Sequence, residues 1–300
     1  MLDVLTGFAI IFTVIAAGWW LAQKKVIGPG EQRLQLNRIA FHVATPSLIF
    51  SSVAVSDTDA FFSPVILVIA IATVTTMLIY WAISAVWFKQ DAAETMAGAA
   101  SSSYYNSVNI GLPIATYVLG DPTYVIPALV LQMAVLSPIV IAGLDRGASG
   151  LLKSVIAGLK APVVVAAFAG FAVSASSWTV PEPVLAPLQI LGGASIPMIL
   201  MSFGASLTGE KVLQSQRLAT TTATILKLIG MPTVAWVVAS LLGLTGSDMY
   251  AALILCALPT AQNVYNYAAT YRSGEVICRD TVFLTTFLSL PAMLLIAGVF

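Results

Sequence analysis

The sequence predicts an all-α integral membrane protein of ten transmembrane helices, built as two inverted five-helix repeats with broken, crossing helices at the fourth and ninth positions. Three observations predict it. The 300 residues are 59% hydrophobic and only 9% charged, where a soluble domain carries about 25% charged residues. Apolar segments of spanning length follow one another with short connections. Two of these segments are interrupted by polar residues and prolines at matching places in the two halves.

A helix needs about 17–25 residues to cross a bilayer. Ten segments qualify: 3–22, 36–55, 61–88, 92–120, 124–144, 151–174, 184–207, 218–244, 249–271 and 278–300. The third is over-long, which tilting accommodates. Met1-Leu2-Asp3 has no basic stretch of the kind that opens a cleavable leader, so the first span is expected to be retained. Cationic residues sort by connection. Lys24, Lys25, Arg33 and Arg38 lie in the first, Lys89 in the third, Arg146 and Lys153 in the fifth, Lys211 and Arg217 in the seventh, Arg272 and Arg279 in the ninth. The even connections carry acids: Asp57, Asp59, Asp121, Glu182 and Asp248. The positive-inside rule then puts the odd connections in the cytoplasm and both termini outside, in a multi-pass protein of the cell (inner) membrane. Lys160 and Lys227 fall inside spans six and eight and are expected to snorkel to the cytoplasmic interface.

Span four reads Ser101-Ser-Ser-Tyr-Tyr-Asn-Ser-Val-Asn-Ile-Gly-Leu-Pro113 at its centre. Pro113 lacks an N–H and crowds the preceding turn, and Gly111 weakens the helix. The amides of Asn106 and Asn109 are costly in hydrocarbon unless partnered. Irregular backbone at membrane depth is tolerated where protein buries it or it lines a cavity. The expectation is two half-helices, the second starting near Pro113. Shifting the chain by 153 positions sets Asn106 on Pro259, Asn109 on Gln262, Pro113 on Asn266, Ala115 on Ala268 and Pro138 on Pro291. Span nine is therefore a second broken helix. The units are residues 1–145 and 146–300; five spans each is an odd number, so the second unit is inverted. Interrupted helices at matching positions of inverted repeats point to a transport site.

Helix N-termini at such breaks favour anions. Asn106, Asn109, Gln262, Asn263 and Asn266 both donate and accept hydrogen bonds. Tyr105 and Tyr265 offer an aromatic face and a hydroxyl, and Pro113, Pro259 and Thr260 at the breaks complete the expected substrate-binding set. A neutral, amide-rich pocket with two helix termini suits a small carboxylate, with a neutral solute as the alternative left open. Pro46 and Pro197 are read as kinks in spans two and seven that reach the pocket wall in the fuller version of this site. His42, the one histidine, is read chiefly as a hydrogen-bonded packing residue, with a proton carrier as the alternative, and is placed with the residues of the pocket wall or its support. Gln132 and Ser137 are placed behind the first break as supports. Gly192-Gly193-Ala194-Ser195 is read as a close helix contact.

Cys256 and Cys278 are too few for a disulfide framework. No acid lies near the middle of any span, no metal cluster or hydrolase motif is present, and no cofactor is implied. There is no basic patch for nucleic acid. These absences point away from enzymes and towards a carrier whose partners are a small organic anion and the lipid bilayer.

The ordered set Gly18-Trp19-Trp20-Leu21, Leu36-Asn37, Phe41, Pro46, Leu48-Ile49-Phe50, Asn106, Asn109-Ile-Gly-Leu-Pro113, Gly120, Ile196-Pro-Met198, Gly204, Leu207, Pro259-Thr260 and Asn263 resembles the auxin efflux carrier family along nearly the whole chain. The resemblance implies a fold related to bile-acid sodium symporters. It also implies a scaffold of helices 1, 2, 6 and 7, a transport domain of helices 3–5 and 8–10, a homodimer formed through the scaffold, and elevator-like alternating access. Bacterial members are associated with malonate, malate and similar carboxylates, and the short Asp145-Arg146-Gly147 turn between the halves fits such a compact member. A sodium- or proton-coupled symporter, and a receptor or channel using the same pocket, are the alternatives left open.

Overall fold

The structure, a computed structural model, describes residues 2–28, 35–36, 38–55, 63–144, 156, 159–160, 162–176, 178–206, 213 and 215–300. Among them every regular element is helical, and the single β feature is one antiparallel bridge. The helices are α1 (Leu2–Gln23), α2 (Ala40–Val53), α3 (Pro64–Phe88), α4 (Ala92–Ser103), α5 (107–117), α6 (Pro122–Leu144), α7 (Pro162–Ala175), α8 (182–206), α9 (Arg217–Leu241), α10 (Gly246–Cys256), α11 (Gln262–Tyr271) and α12 (Glu275–Val299). Five of them are long and apolar enough to cross a membrane, and shorter apolar helices accompany them. This is a multi-pass membrane protein. The Asp145–Gly147 turn and the acids Asp57 and Asp59 lie outside the described residues.

Local chemistry sets where helices begin. Ser63 accepts from the Val65 N–H at 3.3 Å ahead of α3, and Asp91 accepts from Glu94 at 2.8 Å ahead of α4. Asp121 accepts from Thr123 at 2.8 Å where α6 opens. Pro64, Pro122 and Pro162 occupy first turns, where their missing N–H costs nothing.

The internal prolines have a more specific consequence. Four π-helical turns each end two residues before a proline: Ala40–Ala44 before Pro46, Ser107–Gly111 before Pro113, Gln132–Leu136 before Pro138, and Leu226–Gly230 before Pro232. In every case the residue just ahead of the proline donates its N–H five residues back: Thr45 to Ala40, Leu112 to Ser107, Ser137 to Gln132 and Met231 to Leu226. A proline ring crowds the carbonyl four residues earlier and donates nothing to it. Widening the turn relieves both problems without ending the helix. So Pro113, read from sequence as the break, sits instead within continuous helix, and Pro46, read as a kink, follows a turn of the same kind. The first break lies about two turns earlier, at Tyr104–Asn106, and the second half-helix starts at Ser107.

Two packing groups surround the site. In one, α1 lies along the second half of α8, and α2 against α7 and the first half of α8. Glycines allow the approach: a Cβ on Gly18 would run into the Met201 backbone, one on Gly204 into the Ile15 carbonyl, and one on Gly192 would stand 2.8 Å from Leu48 Cα. The Thr45 and Ser195 hydroxyls share a buried hydrogen bond of 2.7 Å between α2 and α8. In the other group, α3, α4, α9, α10 and α12 pack around a core that includes Tyr104, Leu112, Cys256, Leu258 and Ala261.

Candidate functional site: the paired helix breaks

α4 ends when Tyr104 turns extended (φ −77°, ψ 111°), and α10 ends at Cys256. The two extended segments then pair with each other. The Asn106 N–H donates to the Pro259 carbonyl at 2.8 Å, and the Ala261 N–H donates to the Tyr104 carbonyl at 3.0 Å, on either side of the Tyr105–Thr260 bridge. Each break thus supplies backbone partners the other lacks, the condition for irregular backbone in a membrane interior.

Side chains lock this pair from behind. The Tyr105 hydroxyl donates to the Ala128 carbonyl at 2.8 Å. Gln132 donates through Nε2 to the Tyr105 carbonyl and accepts from the Ser107 hydroxyl. Ser137 bonds the Tyr104 hydroxyl and, at 3.1 Å, the Tyr267 hydroxyl. On the other strand, Thr260 donates its hydroxyl to the Ser101 carbonyl at 2.6 Å and its N–H to Thr285 Oγ1 at 3.0 Å.

In front of the pair is a cavity of about 210 Å³. Its wall includes Asn106, Asn109, Gln262, Asn263 and Asn266, together with His42 and Gln132. Five amide-bearing positions from two helix starts therefore face one space. Tyr105 does not: it is fully buried and its hydroxyl is spent on Ala128. Pro113, Pro259, Thr260, Tyr265, Pro46, Pro197 and Ser137 also lie off the cavity wall. Pro259 and Thr260 belong to the strand pairing, and Ser137 to the support behind it.

Asn106 is the informative member. Its Oδ1 accepts from the Asn109 N–H at 3.1 Å, capping α5. That bond fixes which end of the amide is oxygen. The remaining Nδ2 is buried with no hydrogen-bond partner among the described residues, on a residue that is 3% exposed and lines the cavity. A buried donor left unpaired costs about 1–3 kcal/mol, and a bound acceptor removes that cost.

Arg38 also lines the cavity, together with Phe41, Thr45, Met133 and Ile199. Arg38 reads from sequence as an orientation charge in the first connection. Its spacing of four from His42 puts both on one helix face, which is the signal that would have found it. His42 is exposed, and its Nδ1–H donates to the Arg38 carbonyl at 2.9 Å. It is a cavity residue more than a packing residue, and the bond leaves Nε2 available.

Lys227 departs furthest from its sequence reading. Lys160 is exposed, but Lys227 does not snorkel: it is fully buried, with Nζ 2.8 Å from the Cys256 carbonyl and 3.0 Å from Met231 Sδ. It lies in the π turn that precedes Pro232.

Apolar helices of spanning length and two half-helix breaks packed behind a polar cavity are features of membrane transporters. Comparison with known proteins agrees. A family model described as "Membrane transport protein" matches twice, over residues 3–153 and 148–297, and the chain belongs to this auxin efflux carrier family. The chain is also 24% identical over 302 residues to a Rhizobium meliloti (strain 1021) protein named "Putative malonate transporter", covering 96% of this chain and 93% of that one.

Proposed function

We propose that this protein is a secondary carrier of small organic anions, with short dicarboxylates such as malonate as the substrate class. The observation that carries the reading is Asn106, whose buried Nδ2 has no partner among the described residues, lining a cavity that Arg38 and His42 also line. One wall offers amides at two helix starts, where partial positive charge favours a carboxylate. The other offers a guanidinium and an imidazole, a second place for negative charge. Two carboxylates two bonds apart match two such walls, and the name of the R. meliloti relative accords with that.

The mechanism in this reading is alternating access. The chain forms ten spans in two inverted repeats, with α4–α5 and α10–α11 as the crossing broken helices; the double family match, one per half, supports the repeat. The group α1, α2, α7 and α8, tied by glycine contacts and the Thr45–Ser195 bond, is the scaffold and homodimer face. The helices around the breaks move against it in an elevator-like step. Arg38 and His42 belong to the scaffold side, so sliding the breaks past them assembles or disassembles the binding site. With both termini outside the cytoplasm, Arg38 lies at the cytoplasmic end, and anions enter from the cytoplasm for export.

Isothermal titration of purified protein tests this reading. Malonate is expected to bind, and Arg38→Gln to weaken malonate more than acetate, which has only one carboxylate to lose. Equal weakening of both, or no malonate binding by the wild type, overturns it.

A further inference from the structure

The Lys227 ammonium is unused by the anion site, and its surroundings are unusual. It is fully buried in a membrane-spanning helix, where a charge costs several kcal/mol and is rarely kept without a role. No carboxylate among the described residues pairs with it. Its two partners are Met231 Sδ and the carbonyl of Cys256, the last residue of α10. Terminal carbonyls of a helix lack intrahelical donors and carry the negative end of the helix dipole. Five residues further on, Ala261 lines the anion cavity.

One break therefore has two electrically distinct ends. The start of α11 faces the cavity, and the end of α10 faces a cation. In carriers built on discontinuous helices, half-helix N-termini hold the anionic substrate while C-terminal carbonyls coordinate a small coupling cation. We infer that the Lys227 ammonium is a tethered cation occupying the place of that coupling ion, so that the second break is held closed and anion binding proceeds without sodium. The π turn Leu226–Gly230 aims the side chain, which gives this turn a use beyond accommodating Pro232. Methionine or leucine at 227 would satisfy the surrounding apolar packing but would give the Cys256 carbonyl no donor.

This inference does not rest on the identity of the substrate, and its test is read without one. Thermal unfolding of purified wild type, Lys227→Ala and Lys227→Met is followed in sodium, methylammonium and choline chloride at equal ionic strength. Lys227→Ala empties the site, and sodium or methylammonium is expected to raise its midpoint saturably, as binding to the folded state must; choline, too large, is not. Wild type and Lys227→Met, whose sites are filled, are expected to give the same midpoint in all three salts. A folded Lys227→Ala that ignores every small cation overturns the inference. So does a sodium-specific stabilisation of the wild type, which decides the matter even if the variants do not fold. Malonate titration adds a separate arm: affinity of the wild type is expected to be equal in sodium and choline, and about tenfold weaker in Lys227→Met. Failure of the wild type to bind malonate at all would count against the proposed substrate and leave the thermal result standing.

Discussion

Asn106→Ser separates the two jobs of Asn106. Serine is as good an N-cap as asparagine, so the bond now made at 3.1 Å to the Asn109 N–H has a replacement acceptor. The buried Nδ2 has none. A hydrogen bond from that amide to a bound carboxylate is charge-assisted and contributes about 1.5–3 kcal/mol, so removing it should weaken malonate roughly 10- to 100-fold. Stability should move the other way or not at all. Deleting an unpaired buried donor relieves about 1–3 kcal/mol in the empty protein, set against the small cavity left by the shorter side chain. The assay is calorimetric titration of malonate alongside thermal unfolding of the empty protein. Weakened binding with an unchanged or raised unfolding midpoint is expected. Malonate affinity within a factor of two of wild type would refute the placement of Nδ2 against the substrate. Unchanged affinity together with unchanged stability would show that the amide only caps α5.

Other expectations concern orientation and packing. In a chain whose two native cysteines are both buried, Asp121→Cys should react with an impermeant maleimide on intact cells, and Lys89→Cys only after permeabilisation; the reverse pattern would invert the topology. Gly204→Val pushes a side chain into the Ile15 carbonyl and should cost at least the ~1–3 kcal/mol of overpacking, seen as a lower unfolding midpoint; an unchanged midpoint would contradict the α1–α8 contact. Pro113→Ala should leave binding within about threefold of wild type, because the π turn and not the proline lines the cavity; loss of binding would restore Pro113 to the site.

The sequence carried the membrane class and the positions of the polar interruptions because both depend on composition against a uniform apolar background. Asn106, Asn109, Gln262, Asn263 and Asn266 stood out for the same reason: amides are conspicuous where every unpaired polar group is costly. The details that escaped depend on backbone register. Whether Pro113 breaks a helix or is absorbed by a wider turn is decided by the five-back bond from Leu112 to Ser107, which leaves no mark in residue type. Tyr105 and Thr260 read as ligands because they flank the amides, yet strand pairing turned them away from the cavity. Lys227 read as a snorkelling cation because nothing local opposes that; its acceptor, the Cys256 carbonyl, comes from a helix 29 residues away. Arg38 was hidden by its usefulness as an orientation charge.

The measurement that tests the central claim most directly is flux of labelled malonate through proteoliposomes carrying wild type or Asn106→Ser, with a potassium–valinomycin potential, equal pH on both faces and no sodium. If the amides and helix ends hold the anion and Lys227 stands in for a coupling ion, charge crosses uncompensated. The potential then acts with about 2.3 kcal/mol per elementary charge per 100 mV. Wild-type flux should saturate with malonate and follow the sign of the imposed voltage, and Asn106→Ser should lose most of it at low substrate. No saturable flux, flux that ignores voltage while following a sodium or proton gradient, or equal flux from the two proteins at low substrate would contradict the account.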